Sequence, residues 1–197
     1  MKTIAITGGI GSGKSTVLGI LKEMGYPVYS CDEIYREIIN EKEYIQEISR
    51  LFPNVVKEER INLSKLSSLV FSSKENREKL NAVAHPKIMQ QLKKRMGENK
   101  NSALVFAEVP LLFESGYEKD FDVNVVIMRA IDKKIRSVCK RDNTDCEQVL
   151  KRMQAQFDYE STQAKDFFKE KGVVVVVNDG TKQQLKNQIN SLIKSLS

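Results

Sequence analysis

Residues 3–18 limit what this chain can fold into more than any other stretch. Thr3-Ile-Ala-Ile-Thr7 runs into Gly8-Gly-Ile-Gly-Ser-Gly-Lys14-Ser15-Thr16-Val17-Leu18. An apolar, β-rich run enters a glycine-dense turn and leaves it as an amphipathic helical pattern. Gly8, Gly13, Lys14 and Ser15 occupy every fixed position of G-x-x-x-x-G-K-[ST]. Glycines open φ values closed to other residues and bring backbone N–H groups close to a polyphosphate. The helix starting near Lys14 adds the partial positive charge of its N-terminus. Lys14 has the reach for β- and γ-phosphates, and the Ser15 hydroxyl suits Mg²⁺. A surface turn with Lys-Ser by chance would lack the strand before it and the helix after it, and both are readable. A nucleoside triphosphate is the expected ligand.

With 197 residues, 41% hydrophobic and 29% charged, the chain has room for one α/β domain with insertions. No apolar run approaches the ~20 residues that span a bilayer, so no membrane partner is expected. The N-terminus enters the first strand directly, leaving no room for a signal peptide. Cys31, Cys139 and Cys146 are odd in number and in no metal-ligand spacing, which predicts free thiols and a cytoplasmic location. The net charge of +6 suits a polyanionic partner. Nucleotides and phosphorylated substrates need the same charges as nucleic acid does.

Strand-like runs occur at Thr3–Thr7, Pro27–Ser30, Ala103–Val109, Asp122–Met128 and Val173–Val177. The first, fourth and fifth are continuously apolar, as in a parallel sheet covered on both faces. Helical patterns between them complete a βαβ alternation. The expected fold is therefore an α/β P-loop NTPase with a five-stranded parallel sheet flanked by helices. Helix 17–24 ends at Gly25 and Pro27, and strand two delivers Asp32 at its C-terminal end. From Glu33 to about Asn101 only helical stripes appear, one through Tyr44, Ile45, Ile48 and Leu51. A second follows a Ser72-x-x-Glu75 capping box and carries Leu80, Val83, Ile88, Met89, Leu92 and Met96, with Pro86 expected to kink or interrupt it. So long a crossover far exceeds what a βαβ unit requires, and it reads as a helical insertion. Past strand four, Arg129 opens a charge-rich helical stretch that contains Lys133, Lys134, Arg136, Lys140, Arg141, Lys151 and Arg152. A Thr144-x-x-Glu147 box splits it, with Leu150, Met153 and Phe157 as an apolar stripe. Such a stretch suits a closing lid that brings arginines to phosphates. Thr181 is read as the cap of a last helix bearing Leu185, Ile189, Leu192, Ile193 and Leu196.

The phosphate loop alone admits GTPases, motor ATPases and small-molecule kinases. No Asn-Lys-x-Asp or Asp-x-x-Gly stretch stands where a GTPase needs it, and strand three carries only Glu108 rather than a terminal acidic pair. A phosphate loop, an acceptor-binding insertion, a carboxylate to orient an acceptor hydroxyl and an arginine-bearing lid follow one another in the order a small kinase needs. Another small-metabolite or nucleoside monophosphate kinase would share this plan. A nucleotide-dependent regulatory or nucleic-acid-binding protein is the reading from a different class.

Ile6-Thr-Gly-Gly-Ile-Gly-Ser-Gly-Lys-Ser-Thr-Val17, Asp32, Ala84-His-Pro86, Val109-Pro-Leu-Leu-Phe-Glu114, Lys140-Arg-Asp142, Arg152-Met-Gln-Ala-Gln156 and Asn178-Asp-Gly180 together resemble the dephospho-coenzyme A kinase family. The segments keep the family's order and cover almost the whole chain; Pro-Leu-Leu-Phe-Glu with the His-Pro pair is the specific part. The resemblance implies ATP-dependent phosphorylation of the ribose 3′-hydroxyl of dephospho-coenzyme A, with ATP as donor and Mg²⁺ on Ser15. It implies a nucleotide core (1–32, 102–130 and 171–197), a helical acceptor domain (33–101) and a lid (131–170). Gly11, Ser12, Gly13, Lys14, Ser15 and Thr16 would hold the ATP phosphates, and Asn178 would lie near the adenine. Asp32 would orient the acceptor hydroxyl and take its proton, and Arg141 would be the lid arginine directed at ATP. His85, Leu111 and Glu114 would line the acceptor site. The family often has Asp-Ala-Asp after strand two, whereas this chain has Ser30-Cys31-Asp32, so the catalytic role falls on Asp32 alone. A monomer or weak homo-oligomer acting on small molecules, without nucleic acid, is expected.

Overall fold

A computed structural model describes residues 1–154 and 156–196, the side chains of 152 and 154 excepted. The chain forms two compact units, Met1–Tyr29 with Asn99–Ser197, and Ser30–Glu98.

The first unit is built on a five-stranded parallel sheet of β1 (Lys2–Thr7), β2 (Val28–Ser30), β5 (Leu104–Glu108), β6 (Val123–Met128) and β7 (Val174–Val177). Their order across the sheet is β2-β5-β1-β6-β7. β1 is central, with Ile4 opposite Phe106 on one side and Val123 on the other. Its residues Ile4 to Thr7 are all buried, which is why the run shows no alternation. One face is covered by α1 (Lys14–Glu23) and α9 (Lys182–Leu196), whose Val17, Ile20, Leu21, Leu185 and Ile189 pack on Ile4, Ile6, Phe106 and Ile127. The opposite face carries Tyr159 and α8 (Thr162–Glu170), with Ala164 and Phe168 packed on Val126. Edge strand β7 is closed in part by Gln188, which accepts from the Val177 N–H at 3.3 Å and donates to its carbonyl at 2.9 Å. Thr181 caps α9 as expected: its hydroxyl accepts from Gln184 N–H at 3.2 Å while Gln184 Oε1 accepts from Thr181 N–H.

The stretch after β6 forms α6 (Ile131–Asp142) and α7 (Cys146–Gln154). The cap of α7 is Asp145, which accepts from Glu147 N–H, rather than Thr144, whose hydroxyl donates to Gln148. Both residues are good caps, and α6 ends before them at left-handed Asn143. The helix stops before Phe157, and its buried anchor is Val149, with Leu150 exposed.

The second unit holds α2 (Cys31–Ile38), α3 (Lys42–Leu51), α4 (Leu63–Ser72) and α5 (Lys74–Gly97). Leu51 lies on the exposed side of α3, whose buried residues are Tyr44 and Ile48. α5 runs through Pro86 without interruption, so of the expected kink or break the break does not occur. The carbonyl that Pro86 cannot serve belongs to Ala82, a residue exposed to solvent, and Ala84, Ile88, Met89, Leu92 and Met96 keep one buried face across the proline. Its cap is Ser73, which accepts from Asn76 N–H at 3.2 Å, one residue later than the Ser72 box implied.

A two-stranded hairpin, β3 (Val56–Lys57) and β4 (Arg60–Ile61), lies where only helices were expected. Glu58 and Glu59 form its loop at φ 51 and 55, the conformation that asparagine and glycine favour. Replacing Glu58-Glu59 with Asn-Gly is expected to relieve roughly 1 kcal/mol of backbone strain and raise the melting temperature by about 2–4 °C. An unchanged or lowered melting temperature would contradict the strained turn.

Candidate active site

The loop between β1 and α1 is shaped by backbone rather than by side-chain caps. Gly13, the cap residue of α1, sits at φ 96 and offers no side-chain oxygen to the first turn. The side-chain capping place at the head of α1 is therefore open to an anion from outside, while the Thr16 N–H donates to the Gly13 carbonyl at 3.0 Å. A Cβ on Gly13 would lie 2.1 Å from the Asn178 amide nitrogen, and one on Gly11, at φ 77, would lie 2.8 Å from the Lys134 carbonyl oxygen. Only glycine fits either place.

Neighbouring elements brace this loop. Asn178, just past β7, donates its side-chain amide to the Ser12 carbonyl at 2.9 Å. Arg129, at the end of β6, donates to the Gly11 carbonyl at 3.3 Å, and its buried Nε has no partner among the described residues. The Ser12 hydroxyl is likewise buried and unpartnered among them. Lys14 does not project into solvent as a bare loop lysine would. Half-buried, it donates to the Gly8 and Gly9 carbonyls at 2.8 and 3.3 Å. Ser15 and Thr16 lie exposed at the start of α1.

The segment returning from α7 to α8 lies against the same loop. Gln156 Oε1 accepts from the Ile10 N–H at 2.9 Å. The Tyr159 hydroxyl lies 3.3 Å from Thr7 Oγ1, and burial pushes its pKa up to about 12, keeping it neutral. Buried Lys134 pairs with Glu160 at 2.5 Å. Gly9, Ile10, Lys134, Met153, Gln156 and Tyr159 are among the walls of a cavity of about 360 Å³, a volume in the small-molecule range.

The other sequence candidates fall in separate places. Glu114, in the loop after β5, accepts from the Phe157 N–H at 2.9 Å and so ties that loop to the return segment. Leu111 holds φ 55, a left-handed conformation that costs a bulky residue energy and marks this turn as constrained. Arg141 is exposed at the last turn of α6, where its guanidinium pairs with Asp142 at 2.7 and 3.1 Å. Arg136 is exposed on the same helix, and the Arg152 side chain lies outside the described residues. Asp32 and His85 belong to the helical unit. Asp32 is exposed in the first turn of α2, whose cap is Ser30. Burial lowers the pKa of half-buried His85, so the imidazole is neutral at pH 7.

Sequence reasoning missed Arg129, Lys134, Gln156, Tyr159 and Glu160. Gln156 closes part of the quoted Arg152–Gln156 string, which was the one available signal; Arg129 and Lys134 looked like ordinary members of a charge run.

A family model described as dephospho-CoA kinase matches residues 2–184. A dephospho-CoA kinase of Thermus thermophilus is 34% identical over 194 residues, covering 98% of this chain and 91% of the relative. The Geobacillus kaustophilus dephospho-CoA kinase is 31% identical over 197 residues, covering 98% and 95%. A solved Thermus thermophilus structure, 33% identical, superposes with a TM-score of 0.84 over 100% of this chain and 98% of its own. Shikimate kinase from Acinetobacter baumannii, 17% identical, shares the fold at a TM-score of 0.53, covering 99% of this chain and 94% of its own.

Proposed function

The chain belongs to the dephospho-coenzyme A kinase family, and from that premise we propose how its residues divide the work of the reaction. The enzyme transfers the γ-phosphoryl group of ATP to the ribose 3′-hydroxyl of dephospho-coenzyme A, giving coenzyme A and ADP in the last step of coenzyme A synthesis. A bond forms between the 3′-oxygen and Pγ, the bond from Pγ to the β,γ-bridging oxygen breaks, and ADP leaves with the electron pair.

The observation that carries the assignment is the uncapped N-terminus of α1 beneath a glycine loop, with Lys14 folded over it. Amides of Gly11 to Thr16 receive the phosphates, and Lys14 exchanges its loop carbonyls for phosphoryl oxygens. These charge-assisted contacts are stronger than the neutral ones they replace. Asn178 holds the loop through Ser12 beside the adenine end. Asp32 orients the 3′-hydroxyl and accepts its proton, and His85, Leu111 and Glu114 contribute to the acceptor side. The Ser15 hydroxyl is the Mg²⁺ ligand. It is exposed at the helix start, and Mg²⁺ needs few protein ligands beside phosphate oxygens and water. Among the described residues no cluster of three acidic, histidine or cysteine side chains offers another metal site. Bound Mg²⁺ supplies neutralisation of phosphate charge. We read the enzyme as cytoplasmic and as a monomer or weak homo-oligomer, with phosphate ligands rather than nucleic acid as the partners of its positive charge. The test is ADP release with ATP and Mg²⁺, which should require dephospho-coenzyme A and not respond to nucleoside monophosphates or RNA.

Arg141 is the lid cation. Its exposed pairing with Asp142 is worth little, so the guanidinium is available to a triphosphate. Arg141→Ala is expected to lower kcat more than it raises KM for dephospho-coenzyme A, because the charge is needed most in the transition state. Steady-state kinetics on the Ala variants of Arg136, Arg141 and Arg152 check this. Wild-type behaviour of Arg141→Ala beside a crippled Arg136 or Arg152 variant would move the role to that arginine.

A further inference from the structure

The reaction scheme gives no work to residues 156–160, yet this segment grips the phosphate loop at its upstream half. Gln156 Oε1 accepts from the Ile10 N–H at 2.9 Å, across 146 residues of sequence. Glu160 pairs with Lys134 at 2.5 Å. The Lys134 carbonyl in turn occupies the space where any side chain on Gly11 would go. Tyr159 reaches Thr7, the last residue of β1, at 3.3 Å. Three side chains of one short segment therefore hold the loop at its root, at Ile10 and, through Lys134, at Gly11.

A loop containing Gly8, Gly9, Gly11 and Gly13 loses more conformational entropy on ordering than one with other residues at those four positions would. Binding a triphosphate to a loop that first has to be ordered wastes affinity; a loop already held in shape does not carry that cost. Gln156 also satisfies the Ile10 N–H, so that amide is not competing for phosphate oxygens.

We propose that Gln156 is a positioning residue for the donor triphosphate, pinning the Ile10 amide so that the glycine loop is preformed, with Glu160 supporting it through Lys134. The inference rests on reading Gly11–Thr16 as the ATP site. It makes Gln156 a determinant of ATP affinity that touches neither the reacting atoms nor the acceptor.

Gln156→Met keeps the length and packing of the side chain and removes the acceptor. In the full-length protein, the Kd for ATP·Mg²⁺ by titration calorimetry should rise about tenfold, the scale of one ordinary hydrogen bond. The KM for dephospho-coenzyme A should stay within about twofold, and kcat at saturating ATP within about threefold. Amide exchange at Ile10, followed by NMR, should accelerate by about tenfold or more. Glu160→Gln, which leaves Gln156 in place, should raise the ATP Kd by about threefold, and it carries the test should the first variant not fold. An unchanged ATP Kd in a folded Gln156→Met protein would overturn the proposal, as would a lowered melting temperature with equal losses for both substrates. Failure of the wild-type protein to bind ATP would instead overturn the donor-site reading on which it rests.

Discussion

Lys14→Ala is expected to lower turnover by about 10²–10³-fold, the usual cost of removing a principal electrostatic stabiliser of developing charge. In the proposed scheme the lysine meets the β- and γ-phosphates, where negative charge redistributes as the Pγ–O bond opens. Its loop contacts add a second, smaller effect. Lys14 is half-buried and donates to the Gly8 and Gly9 carbonyls, so alanine also removes two loop contacts. Each ordinary hydrogen bond is worth roughly 1 kcal/mol net, and the variant should melt a few degrees lower while remaining folded at 25 °C. Single-turnover transfer and thermal melting on the same preparation separate the two effects. Turnover close to wild type in folded Lys14→Ala protein would contradict the kinase chemistry assigned to this loop.

Asp32→Asn is expected to lower phosphoryl transfer by about 10²-fold or more while leaving ATP affinity nearly unchanged, the scale of general-base loss. Asparagine keeps the shape and removes the charge and the basicity. The competing account would make Asp32 a helix cap, and the structure removes it: Ser30 is the cap of α2, and Asp32 lies inside the first turn. A first-turn carboxylate still favours the helix dipole by about 0.3–1 kcal/mol, so a small drop in melting temperature is expected from that source alone. If helix placement were its entire role, Asp32→Asn would lose those tenths of stability and transfer at full rate. ATP titration, rapid-quench transfer and melting decide between the two.

The parts of the molecule that were legible in the sequence are those whose residue types are dictated by near neighbours in the chain. β1 reads as a strand because every position from Ile4 to Thr7 is buried between two layers. The loop reads as a phosphate cradle because Gly13 must adopt φ 96 beside Asn178, and Thr181 announces α9 through Gln184 three residues on. The β3–β4 hairpin was hidden because Glu58-Glu59 carries none of the asparagine or glycine that such a turn favours. Pro86 suggested a break because a local rule takes no account of the buried face that runs past it. The supporting residues of the loop were illegible for another reason. Arg129 meets Gly11 across 118 residues and Gln156 meets Ile10 across 146, distances at which composition and periodicity carry no information.

The reaction makes one bond, from the γ-phosphorus of ATP to the ribose 3′-oxygen of dephospho-coenzyme A. Incubating the protein with both substrates and Mg²⁺, then locating the added phosphate by tandem mass spectrometry, tests it directly. The predicted product carries one added phosphate on the ribose 3′-oxygen and accumulates in equal amount with ADP. ADP formation without phosphorylated acceptor, or a phosphate found elsewhere on the molecule, would contradict the account.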